Sequence, residues 1–151
     1  MAAQFDITSG ALTSGFTAAT ARTLIEGVTD ANGPPPEWID YHVYNIAASG
    51  FTVVEFVTYA ATGTGSAYTP KRHGQSVGVA RSTWKTAMTV EGSTPVVLWH
   101  ETYLNPFSLR IQYPLGRELF HAVSTVQGLR VTPSVVPDAT HPCGASLTIE
   151  E

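Results

Sequence analysis

Gly74-Gln75-Ser76-Val77-Gly78 has the spacing G-x-S-x-G, in which a sharp turn presents a serine hydroxyl for nucleophilic attack. Asp138 and His141 follow later in the chain, in the order nucleophile, acid, base that α/β-hydrolases use. The chemistry would be acyl transfer through a serine ester. It needs a buried strand ahead of the serine and a helix behind it, so that backbone N–H groups meet the developing oxyanion. Here Pro70-Lys71-Arg72-His73 precede the serine and Val77-Gly78-Val79 follow. The residue types fit and the setting does not. A Gly/Ser loop is the simpler reading, and hydrolysis at Ser76 is the remote alternative.

The other reactive side chains fall short of a site. His100-Glu101 begins a zincin-like pattern, but position 104 is Leu where a second histidine is required. A zinc deaminase needs two cysteines in P-C-x-x-C, and Pro142-Cys143 is followed by Gly144-Ala145-Ser146. Adjacent residues on a strand point to opposite faces, so His100 and Glu101 cannot serve one substrate atom. His42, His73, His121 and His141 are scattered, and a shared metal site among them would require long-range convergence. Asp30-x-Asn32-Gly33 is a fragment of a calcium loop that runs into Pro34-Pro35-Pro36. Gly63-x-Gly65 lacks the third glycine and the helix of a dinucleotide site. No catalytic, metal or cofactor-binding residue is assigned. The expectation is a chain that is not an enzyme and carries no cofactor.

The elements that would position such groups alternate with period two, the mark of half-buried antiparallel strands. Phe5 and Ile7 oppose Gln4, Asp6 and Thr8. Trp84, Met88 and Val90 oppose Lys85, Thr89 and Glu91. Phe107, Leu109, Ile111 and Tyr113 oppose Ser108, Arg110 and Gln112, and Ala145, Leu147 and Ile149 oppose Ser146, Thr148 and Glu150. Trp38 to Ala47, Phe51 to Tyr59 and Val96 to Tyr103 are apolar on both faces. They are predicted to be central strands, or strands whose outer face meets a partner. Aromatics such as Trp38, Tyr41, Tyr44 and Trp99 sit in these runs, where packing is the first expectation. Turn chemistry separates the runs, as in Ser49-Gly50, Asn105-Pro106 and the segment from Pro133 to Pro142. Thr20 to Glu26 is the best helical candidate, but its β-branched residues favour a strand.

The pattern predicts an all-β chain, an antiparallel β-sandwich of jelly-roll type with an extended N-terminal arm. Residues 1–20 form the arm and first strand, and residues 21–151 a single sandwich domain. The arm is expected to lie on a neighbour through Phe5, Ile7, Leu12 and Phe16, by strand addition. Lys71 and Arg72 sit in a predicted loop over residues 70–82 and are candidates to meet an acidic partner surface.

Charged residues make up 13% of the 151 positions, against about 25% in ordinary soluble domains. So little charge points to a surface that is covered in use. The net charge of −4 argues against binding nucleic acid or anionic membrane. A single cysteine, Cys143, rules out an internal disulfide and suits a reducing compartment. Neither a secretory leader nor a bilayer-spanning run is expected from the residue pattern.

Several phrases together resemble a group of small tailed-bacteriophage virion structural proteins. Thr17-Ala18-Ala19-Thr20-Ala21-Arg22-Thr23 looks like their N-terminal strand. The hairpin end Thr62-Gly63-Thr64-Gly65 with Tyr68-Thr69-Pro70, the turn Gln112-Tyr113-Pro114-Leu115-Gly116-Arg117-Glu118 and the strand Gly128-Leu129-Arg130-Val131-Thr132 are similar too. The close, Leu147-Thr148-Ile149-Glu150-Glu151, completes the order. Pro34-Pro35-Pro36 and His141-Pro142-Cys143 depart from the pattern. The resemblance implies capsid decoration, or cementing: binding the head exterior and stabilising capsomer contacts. The implied partners are the major capsid protein and further copies of the chain, as a homotrimer. The implied place is the capsid exterior of the virion, after synthesis in the host cytoplasm. It offers no catalytic residue. A tail or head-fibre module that binds host-surface glycan is the alternative.

Overall fold

The computed structural model describes residues 3–32, 36–73, 80–114, 119–120 and 125–151. Alternation becomes strand wherever the sequence carries it. The strands in chain order are β1 (Gln4–Leu12), β2 (Arg22–Val28), β3 (Glu37–Asn45), β4 (Phe51–Tyr59), β5 (Thr64–Tyr68), β6 (Lys71–Arg72), β7 (Thr83–Val90), β8 (Val96–Leu104), β9 (Phe107–Gln112), β10 (Leu119–Phe120), β11 (Val126–Pro133) and β12 (Cys143–Glu150). No helix occurs among the described residues. Thr20 to Glu26 leads into and joins β2, as its β-branched residues require.

The strands form two antiparallel sheets packed as a sandwich. Sheet A runs β10-β3-β12-β1-β6, with β9 beside β10 on the same edge of β3. Sheet B runs β5-β7-β2-β11-β4-β8. Ile7, Trp38, Tyr41, Val43, Leu147 and Ile149 from sheet A meet Leu24, Ile25, Val54, Phe56, Leu129 and Val131 from sheet B. Each such aliphatic side chain contributes roughly 1.5–3 kcal/mol when fully buried. At the centre the Trp38 ring meets Phe56 edge-on at 4.4 Å and Trp84 at 6.1 Å. Gly27 makes this possible, since a Cβ there would lie 2.5 Å from the Trp84 ring.

The first strand is longer than its side chains suggest. Residues 9–12 carry few anchors, yet β1 follows β12 from Gln4↔Glu150 to Leu12↔Cys143. The register slips between Thr8 and Gly10, where Gly10 has a φ of 66° that a bulge admits for glycine. Residues 71–72, expected within a loop, pair with Asp6 and Phe5 as β6.

Loops close over half of the outer face of sheet B. Ala61 bridges to Ser93. The Glu91 carboxylate accepts hydrogen bonds from the Thr23 hydroxyl at 2.5 Å and the Tyr59 hydroxyl at 2.9 Å. Val57, Tyr59 and Val126 form a small second core there. Nearby, Arg130 Nε donates to Glu55 at 2.8 Å, with both side chains largely buried.

Candidate functional site

The residues singled out in the sequence do not converge. Phe5 and Ile7 are buried in the chain's own core, and Leu12 packs against it. Phe16 is buried beneath the Arg22 guanidinium, which lies 4.5 Å from the ring centroid. Within this chain these side chains have little area left for a neighbour. Lys71 and Arg72 lie on β6, at the edge of sheet A away from β9. The neighbouring His73 ring is 2.9 Å from Asp6. Ser76 lies outside the described residues. Asp138 and His141 sit 3.2 Å apart in an exposed turn. Backbone N–H groups of His141 and Thr140 donate to the Asp138 carboxylate and hold it below the usual carboxylate range. No cluster of three or more metal-ligating side chains is found among the described residues.

What the structure does gather is apolar surface along β8. This strand was one of the three read as apolar on both faces. The other two, β3 and β4, have strands on both sides. β8 pairs with β4 alone among the described residues and is an edge. Its outer face continues that of β4 through the pairs Phe51↔Leu104, Val53↔Thr102, Glu55↔His100 and Val57↔Val97. Leu104 is 80% exposed and Phe51 46%. Val135, also exposed, lies against Gly50 at the entry to β4.

The inner side of β8 is equally open. The register skips between Phe56↔Trp99 and Val57↔Val97, so Leu98 is an extra residue. Leu98 and Trp99 line a groove of about 410 Å³ with Phe56, Tyr41, Ile111 and Tyr113, between the facing edges β8 and β9. Tyr103 stacks on Phe107 at 5.1 Å across the same two strands. Burial and the Glu101 carboxylate, which accepts the Tyr103 hydroxyl at 2.9 Å, push that phenol up to about 12. Burial raises Tyr41 as well, helped by its hydrogen bond to Tyr113.

An edge with no partner among the described residues, exposed apolar side chains at both ends of it and an apolar groove therefore share one side of the molecule. Such a strand invites pairing with another chain, and contiguous exposed apolar patches mark interaction surfaces. The signal was legible as the run Val96-Val97-Leu98-Trp99, though its edge position was not. No protein-family model matches the chain, and neither a curated protein nor a solved structure matches it.

Proposed function

We propose that this chain is a structural protein of a tailed-bacteriophage virion, a capsid decoration protein that binds the head exterior and stabilises contacts between capsomers. Its partners are the major capsid protein and its own copies, as a homotrimer. It is made in the host cytoplasm and held on the capsid exterior. The observation that carries this reading is the set of exposed apolar side chains on the outer face of β4 and β8, Phe51, Val97 and Leu104, beside an edge with no partner among the described residues. Buried apolar area contributes about 25 cal/mol per Å². A standard interface of roughly 1,600 Å² suffices when symmetry repeats it over a lattice. A closed three-fold ring would also cover exposed strand edges.

The strand order supports a jelly-roll reading. β9-β3-β12-β1 faces β2-β11-β4-β8, the arrangement of two interlocked Greek keys that viral capsid domains use. Attachment is assigned to the β8 side rather than to the N-terminal segment, because Phe5, Ile7 and Phe16 are occupied in the core.

The test is to separate purified virions into emptied heads and tails and probe each with an antibody to the chain. The expected result is that the protein travels with heads. Heads stripped of it should rebind the parent and fail to rebind the variant carrying Phe51→Asp and Leu104→Asp. Recovery with tails, or absence from virions, refutes decoration. Undiminished rebinding by the variant refutes the β8 side as the contact.

A further inference from the structure

The opposite outer face, on sheet A, is concave and polar, and its geometry does not depend on the reading above. A groove of about 500 Å³ crosses four strands there, within the roughly 300–1,000 Å³ of small-molecule sites. Two rungs form it. Asp6, Thr148, Asp40 and Gln112 are aligned across β1, β12, β3 and β9, and Thr8, Ser146, His42 and Arg110 lie beside them.

These groups are held in place by one another. Arg110 donates to Asp40 Oδ2 from Nε at 2.9 Å and from Nη2 at 2.5 Å. The Thr148 hydroxyl donates to Asp6 Oδ1 at 3.0 Å. His42 Nε2 and Ser108 Oγ are 2.7 Å apart. Locked rotamers present donors and acceptors at fixed positions, so a ligand need not order them.

An aromatic ring lies next to His42 and Ser108 of the groove. Tyr44 follows His42 on the same face of β3, 5.5 Å away between ring centroids. Its cross-strand partner is Gly144. A Cβ on Gly144 would come within 2.6 Å of the Tyr44 hydroxyl and 2.8 Å of its Cζ. The absent side chain leaves room for the phenol over β12, where the ring is half-buried. Covering a sheet glycine with a ring is a stabilising device in itself. It also sets a partly exposed ring beside a row of hydrogen-bonding groups.

We propose that this groove binds a neutral, hydroxyl-rich ligand, an uncharged oligosaccharide, with one sugar ring on Tyr44 and adjacent hydroxyls on Asp40, Arg110, His42 and Ser146. Carboxylates accept from sugar hydroxyls, and the guanidinium donates to ring and hydroxyl oxygens. Charge selects against the alternatives. An anion would face Asp6 and Asp40, and a cation would face Arg110. The stacking surface selects against a small inorganic ion.

The test is a titration of the isotope-labelled full chain, read by amide chemical shifts. The probes are maltopentaose, cellopentaose, xylopentaose, mannopentaose and chitopentaose, with polygalacturonate fragments as the charged arm. At least one neutral probe should shift the amides of Tyr44, Arg110 and Ser146 with a Kd of about 1 mM or tighter. Tyr44→Ala should weaken that binding about tenfold or more, whereas Tyr44→Phe, which keeps the ring, should stay within about threefold. If Tyr44→Ala does not fold, Arg110→Gln provides the second reading, with about a tenfold loss expected. The proposal fails if no neutral probe moves these amides at about 10 mM, if only the charged arm binds, or if Tyr44→Ala or Arg110→Gln binds as the parent does.

Discussion

On sheet A the rung Thr8–Ser146–His42–Arg110 sets four hydrogen-bonding side chains in a row. On the open half of sheet B the pair Phe51–Leu104 sets two hydrocarbons in water. Both come from the same device, the residues of adjacent strands that point away from the core. The face of sheet A satisfies itself through local pairs and can stand in solvent. That of sheet B leaves the side chains of Phe51 and Leu104 exposed, area that burial would stabilise. A sandwich needs one dry layer, between its sheets. This one has a second apolar face and a second groove, both on the side of β8.

Ion pairs sharpen the contrast most. Arg130–Glu55 lies on sheet B with side chains 11% and 15% exposed. Arg110–Asp40 lies on sheet A with Arg110 71% exposed over an Asp40 that is 10% exposed. Removing one partner of a buried pair strands the other charge, at a cost of about 3–5 kcal/mol. Arg130→Met should therefore lower unfolding stability in urea by about that amount. Arg110→Gln should cost less, about 1–2 kcal/mol, because the guanidinium it removes already stands in water and the Asp40 it uncovers borders the groove. Equal losses in the two variants would show that the two outer faces are solvated alike.

The interior shared by both faces has its own signature in pH. Cys143 opens β12 with no solvent exposure, and burial pushes its thiol up to about 12 from an ordinary 9.0. A raised acid binds its proton more tightly when folded than when unfolded. Its contribution is whole below about pH 9 and is lost as pH rises through about 12. Thermal unfolding should show a loss on the order of 2 kcal/mol by about pH 11, to which the raised tyrosines Tyr41 and Tyr59 add in the same direction. Below pH 9 the native thiol should resist iodoacetamide until the chain is unfolded. Labelling of the native protein at neutral pH would mean that the space between the sheets is open to solvent.

The strands were legible wherever side chains alternate against solvent, as in Phe107–Gln112 and Cys143–Glu150. A sandwich follows from such runs separated by turns. Two things were hidden, for different reasons. Residues 9–12 are too small to announce a strand, and their order comes from the β12 ladder rather than from their own burial. The Tyr44 groove joins residues far apart in the chain, such as Asp6 with Thr148 and Asp40 with Arg110. Period-two patterns give the face of each residue within its strand and say nothing of which strand lies beside it. The β8 edge was half legible. Two apolar faces were visible in Val96 to Tyr103, but such a run reads equally as a strand covered by its own sheet or by a partner.

The smallest expected effect on the isolated chain is the one that separates those two readings. Leu104→Ser alters a side chain 80% exposed and Phe51→Ser one 46% exposed, so unfolding stability should change by less than about 0.5 kcal/mol and by about 1 kcal/mol respectively. Apolar surface that folding does not bury cannot hold the fold together. Association is where these residues should count. Sedimentation velocity of the parent should show a concentration-dependent oligomer, and the double variant should sediment as a monomer with a Tm only slightly lower at low concentration. A large stability loss in the dilute variant would instead mean that the β8 face is covered by the chain itself. The comparison between the two outer faces would then disappear.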